Sequence, residues 1–316
     1  MLIRCSHYLR VHTYIMDIVQ KINMKRRTCI VIATLIAVSI LSFPIKKPNE
    51  PWYADAMSFS QLNRVSCDNI TIGFIDTGIS PSIAKEYGIE ALYNSISPGE
   101  TTDDGNGHGT AMVSIACGNG YCGVTGLAEN ATVVVIKAAD DDGRMTLESL
   151  DRALSYAEDE GCNIVNISLG GYYGSEEVER RLRTMSNNNI AIVASSGDYA
   201  QKDLLFPSSY YPYVISVGAL DETGILWEDS NTSDNLVTAF PGVNITSINI
   251  EGEKHVSSGT SEAAAMATAY IAVLKQAHID NYGTDIDNSE LVNLLKELYK
   301  SKAQTKYWDI LEELIH

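Results

Sequence analysis

Five runs rich in valine and isoleucine, separated by stretches with helical periodicity, limit most strongly what this chain can fold into. Strands that are apolar on both faces are typical of a parallel sheet covered by helices. The runs and the amphipathic stretches between them therefore predict an α/β fold: a doubly wound, mostly parallel sheet with helices on both faces, in a single domain. The strand-like runs are residues 70–76, 132–138, 163–169, 190–195 and 213–220.

This predicted domain covers residues 50–316. Asp287 and Glu290 have the spacing of a capping box, which places a C-terminal helix at about 288–300. The loops at 94–107, 139–145, 199–212 and 221–236 are rich in Asp, Gly, Asn, Ser and Pro. Because open α/β sheets bind ligands beyond the carboxyl ends of their strands, functional side chains are expected in such loops.

Residues 1–49 have a different character. Lys25, Arg26 and Arg27 precede an uncharged, apolar run at 28–43, which is the layout of a secretory signal or a membrane anchor. The run is shorter than the ~20 residues of a membrane span, yet the only Ala-x-Ala site, residues 54–56, lies far beyond its end. Cleaved signal and uncleaved anchor both stay open, with a slight preference for the anchor, as does a start at Met1 or at Met24.

The charge of the remaining chain excludes one class of partner. Residues 1–30 hold six of the 23 Lys and Arg but one of the 40 Asp and Glu, so the rest carries 17 basic against 39 acidic side chains, a net charge of −22. Nucleic acids and anionic lipid surfaces bind through Lys and Arg. No nucleic-acid partner is therefore predicted.

Export would permit disulfide bonds, and four cysteines lie outside the N-terminal region. Three pairings are open to them, and Cys117 with Cys122 is the favoured local pair; the alternative is that all four are buried thiols. No Cys-x-x-Cys or His-x-x-x-His spacing indicates a metal site. The four are Cys67, Cys117, Cys122 and Cys162.

Two familiar motifs do not fit their context. Residues 118–123 match Gly-x-Gly-x-x-Gly but follow a predicted helix instead of a strand, which argues against dinucleotide binding. Residues 140–143 resemble part of a calcium loop, but Ala138 and Ser149 stand where its first and last carboxylates belong. Gly-x-Ser-x-Gly is absent from the sequence, which excludes an α/β-hydrolase nucleophile elbow.

Three other segments supply the parts of a serine hydrolase. FIDTGIS ends a predicted strand in Asp76, DDGNGHGTAM places His108 in a glycine-rich turn that enters a helix, and VSSGTSEAAAM places Ser261 at the start of another helix. Each residue alone is as well explained by a turn, a surface position or a helix cap. Together they provide an orienting acid, a base and a nucleophile at strand or helix ends.

The order Asp, His, Ser is that of subtilisin, and the chain resembles the subtilase family of serine peptidases over residues 50–277. The resemblance includes Asp-Thr-Gly after the first strand, His-Gly-Thr at 108–110 and Gly-Thr-Ser at 259–261. It continues through Ser-Leu-Gly-Gly at 168–171 and the segments FPSSYYPYVISVGALD and FPGVNITS.

The resemblance implies a role for each of these residues. Ser261 would attack a peptide carbonyl, His108 would take its proton, and Asp76 would orient the imidazole. Ser261 and residue 198 would form the oxyanion hole, and an extended substrate would lie along Ser168, Leu169, Gly170, Ser195, Ser196 and Gly197.

The expected protein is thus a secreted or envelope-bound endopeptidase. Its partners would be peptide or protein substrates, with a membrane through residues 28–43 if that segment is retained. It is expected to be a monomer and to need no cofactor; whether it binds a structural calcium ion is left open.

The chain departs from the family pattern in three places, and the first and third departures support an alternative. Asp198 replaces the asparagine that donates to the oxyanion, and an ionised carboxylate only accepts hydrogen bonds. Glu262-Ala263-Ala264-Ala265 replaces the usual Met-Ala-x-Pro after the serine. No folding propeptide fits between the apolar run and Pro51, where the resemblance begins. The alternative is a pseudopeptidase, or a very slow processing peptidase, that acts by binding peptides.

Overall fold

The computed structural model describes residues 51–301 and 307–315. The predicted signal or anchor segment at 28–43 and the rest of 1–49 lie outside these residues. The described residues form nine strands: β1 Thr71–Asp76, β2 Ala91–Asn94, β3 Thr132–Lys137, β4 Ile164–Ile167, β5 Ala191–Ser195, β6 Ile215–Leu220, β7 Thr238–Pro241, β8 Ile245–Ile248 and β9 Lys254–Ser257. The α-helices found there are α1 Trp52–Ala56, α2 Phe59–Leu62, α3 Pro81–Glu86, α4 His108–Cys117, α5 Leu147–Asp159, α6 Glu176–Asn187, α7 Thr260–Tyr282, α8 Asn288–Lys300 and α9 Tyr307–Ile315.

Seven of the strands form one parallel sheet in the order β2-β3-β1-β4-β5-β6-β7, and β8 pairs with β9 in a separate antiparallel hairpin. The chain moves outward from β1 in both directions, to β3 on one side and to β4 on the other. Ligand sites of open α/β sheets lie at such a switch point, beyond the carboxyl ends of the strands. The fold therefore places the ends of β1 and β4 where a site is expected.

Helices cover both faces of the sheet. One hydrophobic cluster contains Phe74, Ile164 and Val193 together with α4 and α7, and the other contains Ile75, Val165 and Ile192 together with α5 and α6. Neighbouring residues of one strand thus enter different cores, as strand geometry requires. The predicted doubly wound α/β fold in a single domain is confirmed, and all seven strands of the main sheet are parallel.

Helix α7 lies inside the molecule, against α4 and strands β4 to β7. Ala263, Ala264 and Ala265 are fully buried in its first turns. Their small side chains allow the N-terminus of the helix to approach the sheet closely, and this brings Ser261 to the carboxyl end of β4.

The structure leaves all four described cysteines as free thiols. Cys117 is buried at the end of α4, whereas Cys122 is exposed and donates from Sγ to the carbonyl of Gly252 at 3.0 Å. The favoured Cys117–Cys122 pair does not form in this structure because the two side chains face different surroundings.

Within residues 51–301 and 307–315, none of the helices combines the length and the apolar character needed to cross a bilayer. The same part of the chain contains no group of three His, Cys, Asp or Glu side chains arranged to hold a metal ion.

Candidate functional site

Asp76 and His108 meet at the carboxyl end of β1. Asp76 is the last residue of the strand and is fully buried, and His108 is the first residue of α4. His108 Nδ1 lies 2.7 Å from Asp76 Oδ1, which also accepts the amide of Thr77 at 2.8 Å. The aspartate thus fixes the orientation of an imidazole whose side chain is 26% exposed.

A second buried carboxylate, Asp104, joins α4 to the strand. Its Oδ1 accepts from Thr77 Oγ1 and from the amides of Asn106 and Gly107, and its Oδ2 accepts from the amide and the hydroxyl of Thr110. Burial alone would raise the pKa of Asp104, but these hydrogen bonds outweigh it and lower the pKa. Asp104 was not among the residues predicted from the sequence. The one signal available there is its position, four residues before His108 in the glycine-rich turn.

We expect Asp104→Ala to lower the free energy of unfolding by about 3 to 5 kcal/mol, because five hydrogen-bond donors would lose a charged acceptor. Since the folded state lowers the pKa, this contribution should be complete above the unfolded-state pKa of about 3.9 and be lost as the pH falls through the folded-state value. Urea unfolding at pH 7 and at acidic pH measures both effects. Asp103→Ala, which removes an exposed neighbouring carboxylate, is the matched control. Equal losses of unfolding free energy in the two variants would contradict a stabilising role of the Asp104 hydrogen bonds.

The surroundings of His108 favour its protonated form. Burial lowers its pKa, but the charge and the hydrogen bond of Asp76, with smaller contributions from Glu262 and Asp104, outweigh burial and raise the pKa to about 9. The imidazole is therefore mostly charged at neutral pH. It becomes a proton acceptor increasingly as the pH rises toward 9.

We expect the His108 ring signals in an NMR titration to shift with a midpoint near pH 9. Asp76→Asn should move the midpoint toward the ordinary histidine value of about 6.5, because it removes the largest stabilising charge. Glu262→Gln should move it in the same direction by less. A midpoint near 6.5 in the unaltered protein would show that Asp76 does not stabilise the imidazolium.

Ser261 is the second residue of α7 and is partly exposed. Its Oγ donates to the carbonyl of Ser168 at 2.9 Å, and Ser168 Oγ donates to the carbonyl of Ser261 at 3.1 Å. In the described part of the chain no hydrogen bond joins Ser261 to His108. The backbone amide of Ser261, at the helix N-terminus, has no described acceptor.

Asp198 follows β5 and reaches the same helix N-terminus. Its Oδ1 accepts from the amide of Thr260 at 2.8 Å and from the hydroxyl of Thr260 at 2.7 Å. A carboxylate at this position satisfies an amide that lacks an intrahelical partner and complements the helix dipole. The side chain predicted for the oxyanion hole thus lies next to Ser261, is exposed, and acts as an acceptor.

The predicted substrate-binding residues divide into two groups. Leu169 and Gly170 follow β4, are progressively more exposed, and make no backbone hydrogen bond with another described residue. Ser195, by contrast, is buried, and Ser196 and Gly197 use their backbone groups within the chain. The second group therefore forms a wall of the site and offers few hydrogen bonds.

Gly197 has a steric reason to be glycine. Its φ is +108°, and a Cβ atom there would lie 2.6 Å from Asn231 Nδ2 and 2.9 Å from Leu205 Cγ. Asn231 in turn accepts the amides of Tyr199 and Gln201. These contacts hold the turn that carries Asp198.

A cavity of about 310 Å³ opens beside Leu169 and Gly170. It is lined largely by apolar side chains, including Met145, Leu147 and Phe206. An apolar side chain of a ligand stretched along residues 169–170 would fill it.

Comparison with known proteins identifies the family of the chain. The model of the Subtilase family matches residues 68–310. The minor extracellular protease Epr of Bacillus subtilis is 35% identical over 232 residues, which are 72% of this chain and 35% of that protein. Subtilisin BL of Lederbergia lenta is 30% identical over 238 residues, 70% of this chain and 86% of that protein. The cell wall-associated protease of Bacillus subtilis is 31% identical over 219 residues, which are 67% of this chain and 24% of that protein.

The chain thus spans most of one relative and about a third or less of the other two. The family match and the names of these relatives support a peptidase, a serine hydrolase that cuts within peptide chains. The predicted resemblance is confirmed. By its matched length and by its identity to these proteases, this chain belongs to the subtilase family.

Proposed function

We propose that this chain is an exported serine endopeptidase that hydrolyses peptide bonds through Asp76, His108 and Ser261 and an acyl-enzyme. The observation that carries the proposal is the 2.7 Å contact of buried Asp76 with Nδ1 of His108, on a helix that packs against α7, which bears Ser261. Asp76 holds the proton on Nδ1, so that Nε2 is left to act as the base. Export rests on the names of relatives that are extracellular or cell wall-associated.

In the proposed reaction Ser261 Oγ attacks the carbonyl carbon of the substrate as His108 takes the hydroxyl proton. The proton then passes to the leaving amine, the C–N bond breaks, and an ester to Ser261 remains. Water, deprotonated by His108, then attacks that ester; the bond from the carbonyl carbon to Ser261 Oγ breaks, and His108 returns the proton to Oγ. Catalytic hydrogen bonds often form only with substrate bound, so Ser261 Oγ is proposed to turn from the Ser168 carbonyl to His108. No cofactor is needed.

The oxyanion would receive hydrogen bonds from the helix N-terminus. The amide of Ser261 has no described acceptor and lies at the positive end of α7, so it can stabilise the negative charge that develops. Asp198 offers no second donor while it is ionised. We therefore expect the protein to be a working but slow enzyme.

The substrate is proposed to bind as an extended strand beside residues 168–170. The unpaired backbone groups of Leu169 and Gly170 would form hydrogen bonds with it, as an exposed strand edge does. The apolar cavity next to them would take one side chain of the non-leaving half. The chain would act as a monomer.

An acylation burst tests this proposal. With an activated ester substrate, the purified protein should release about one equivalent of the alcohol rapidly before a slower steady state. It should also cleave a quenched fluorescent peptide at pH 9. Absence of both burst and cleavage between pH 5 and 9 would contradict it.

One observation favours a second candidate, a peptide-binding protein with no turnover. Asp198 accepts two hydrogen bonds from Thr260, so its side chain is engaged as an acceptor where a donor to the oxyanion would be needed. Such a protein would bind peptides along residues 168–170 without cutting them. Measurable cleavage that Ser261→Ala abolishes would exclude this candidate.

A further inference from the structure

Glu262, the residue after Ser261, is largely buried, and its carboxylate accepts no hydrogen bond from a described residue. The residue is 5% exposed. A buried charge is costly unless it is paired or hydrogen-bonded. The nearby positive charge that acts on it is His108, which must become neutral to serve as a base.

The carboxylates of Glu262 and Asp198 both lie beside Gly259. A Cβ atom at Gly259 would lie 2.7 Å from Glu262 Oε2 and 2.9 Å from Asp198 Oδ2, so the two oxygens are near neighbours. Only Oδ1 of Asp198 bonds to Thr260. Two carboxylate oxygens that accept from no described donor therefore lie beside Gly259, next to Thr260 and the nucleophile.

Among the described residues, no Lys or Arg side chain forms an ion pair with Glu262 or Asp198. The ion pairs that Lys and Arg form in the described ranges all use other carboxylates. Outside residues 1–30 the chain also carries the large excess of acidic side chains noted above. While His108 is neutral, as a base must be, a positive charge beside these two carboxylates would have to come from a bound molecule.

We propose that Glu262, with Asp198 beside it, binds a cationic side chain of the substrate, a lysine or an arginine next to the scissile bond. The inference rests on the proposed peptidase function and names its substrate class. Glu262 is then a specificity-determining residue: a substrate cation would pair with a carboxylate that has no Lys or Arg partner among the described residues, and an acidic substrate would be repelled.

Two series of fluorogenic peptides test this inference, one varying the residue before the cut and one varying the residue after it. Each series compares lysine with norleucine, which has the same aliphatic chain without the charge. We expect the lysine peptide to have a kcat/KM at least about tenfold higher in one series, as close charge pairs give in binding. The series that shows the preference locates the cation relative to the bond.

Glu262→Gln and Glu262→Met should each reduce that lysine-to-norleucine ratio by about tenfold, and the comparison within one variant cancels any change in His108. Glu297→Gln, which removes an exposed carboxylate of α8, is the matched control and should keep the ratio. A ratio of one or less in both series, or a ratio unchanged in both Glu262 variants, would overturn the inference.

Binding separates this inference from the peptidase proposal. The same peptides are titrated into the Ser261→Ala variant by fluorescence anisotropy, where no turnover is required. Tighter binding of the lysine peptide that is lost on adding Glu262→Gln supports the inference even if the protein cleaves nothing. Equal binding of the two peptides, or no binding of either, overturns it even if the protein is an active peptidase.

Discussion

Asp198→Asn should raise kcat for a neutral peptide by about 100-fold, with a range up to about 1,000-fold. The amide oxygen of asparagine can keep both hydrogen bonds from Thr260, and its nitrogen takes the place of Oδ2. An acceptor beside the oxyanion thereby becomes a donor. The magnitude is the known cost of losing such a donor, a figure measured on subtilisin, a member of this family.

The variant is assayed by steady-state kinetics at pH 8 to 10, where His108 is increasingly neutral. Asp203→Asn is the matched control, because it removes an equal charge from an exposed position in the same loop. If the control raises kcat as much, the gain is a general charge effect. A loss of tenfold or more in Asp198→Asn would instead show that the carboxylate itself is required.

Ser261→Ala should lower kcat by about a million-fold, the loss measured on subtilisin when its nucleophile is removed. No other described hydroxyl lies at the N-terminus of α7 in a position to replace it, since Thr260 Oγ1 is engaged with Asp198 and Gly197. Peptide hydrolysis, followed by mass spectrometry over days, measures the residual rate.

Ser168→Ala is the control for Ser261→Ala. It removes the hydroxyl that donates to the carbonyl of Ser261 but keeps the nucleophile, so it should lower kcat far less. Comparable losses in the two variants would indicate that distortion of the site, and not loss of the nucleophile, explains the effect.

The central strands could be predicted from the sequence, and the outer ones could not. Residues of β1 and β3 to β6 are buried on both faces, which produces long apolar runs. Strand β2, Ala91–Asn94, lies at the sheet edge and is half exposed, and β7, Thr238–Pro241, is short and contains a proline. Such strands show neither an alternation of apolar and polar residues nor a continuous apolar run, so the sequence pattern does not reveal them.

The site shows the same division. Asp76, His108 and Ser261 stand at element ends and could be found from the sequence and the family resemblance. The contacts of Asp198 with Thr260 join residues 62 positions apart. Contacts between residues so far apart cannot be predicted from the local sequence pattern. The burial of Glu262 has no local signal either, because it results from the packing of α7 between the sheet and α4.

The pH dependence follows from the pKa of His108. Below about pH 9 the imidazole is mainly protonated, so kcat/KM is expected to rise by about tenfold per pH unit until it levels off. This rise is the activity counterpart of the NMR titration.

The central claim is that Ser261 is a nucleophile activated by His108, and covalent labelling tests it most directly. The purified protein is incubated with a serine-directed peptidyl phosphonate at intervals from pH 5 to 9, and the modified residue is located by peptide mass spectrometry. The account predicts a single adduct on Ser261 that forms faster as the pH rises and is absent in His108→Ala. No adduct on Ser261 at any of these pH values would contradict it.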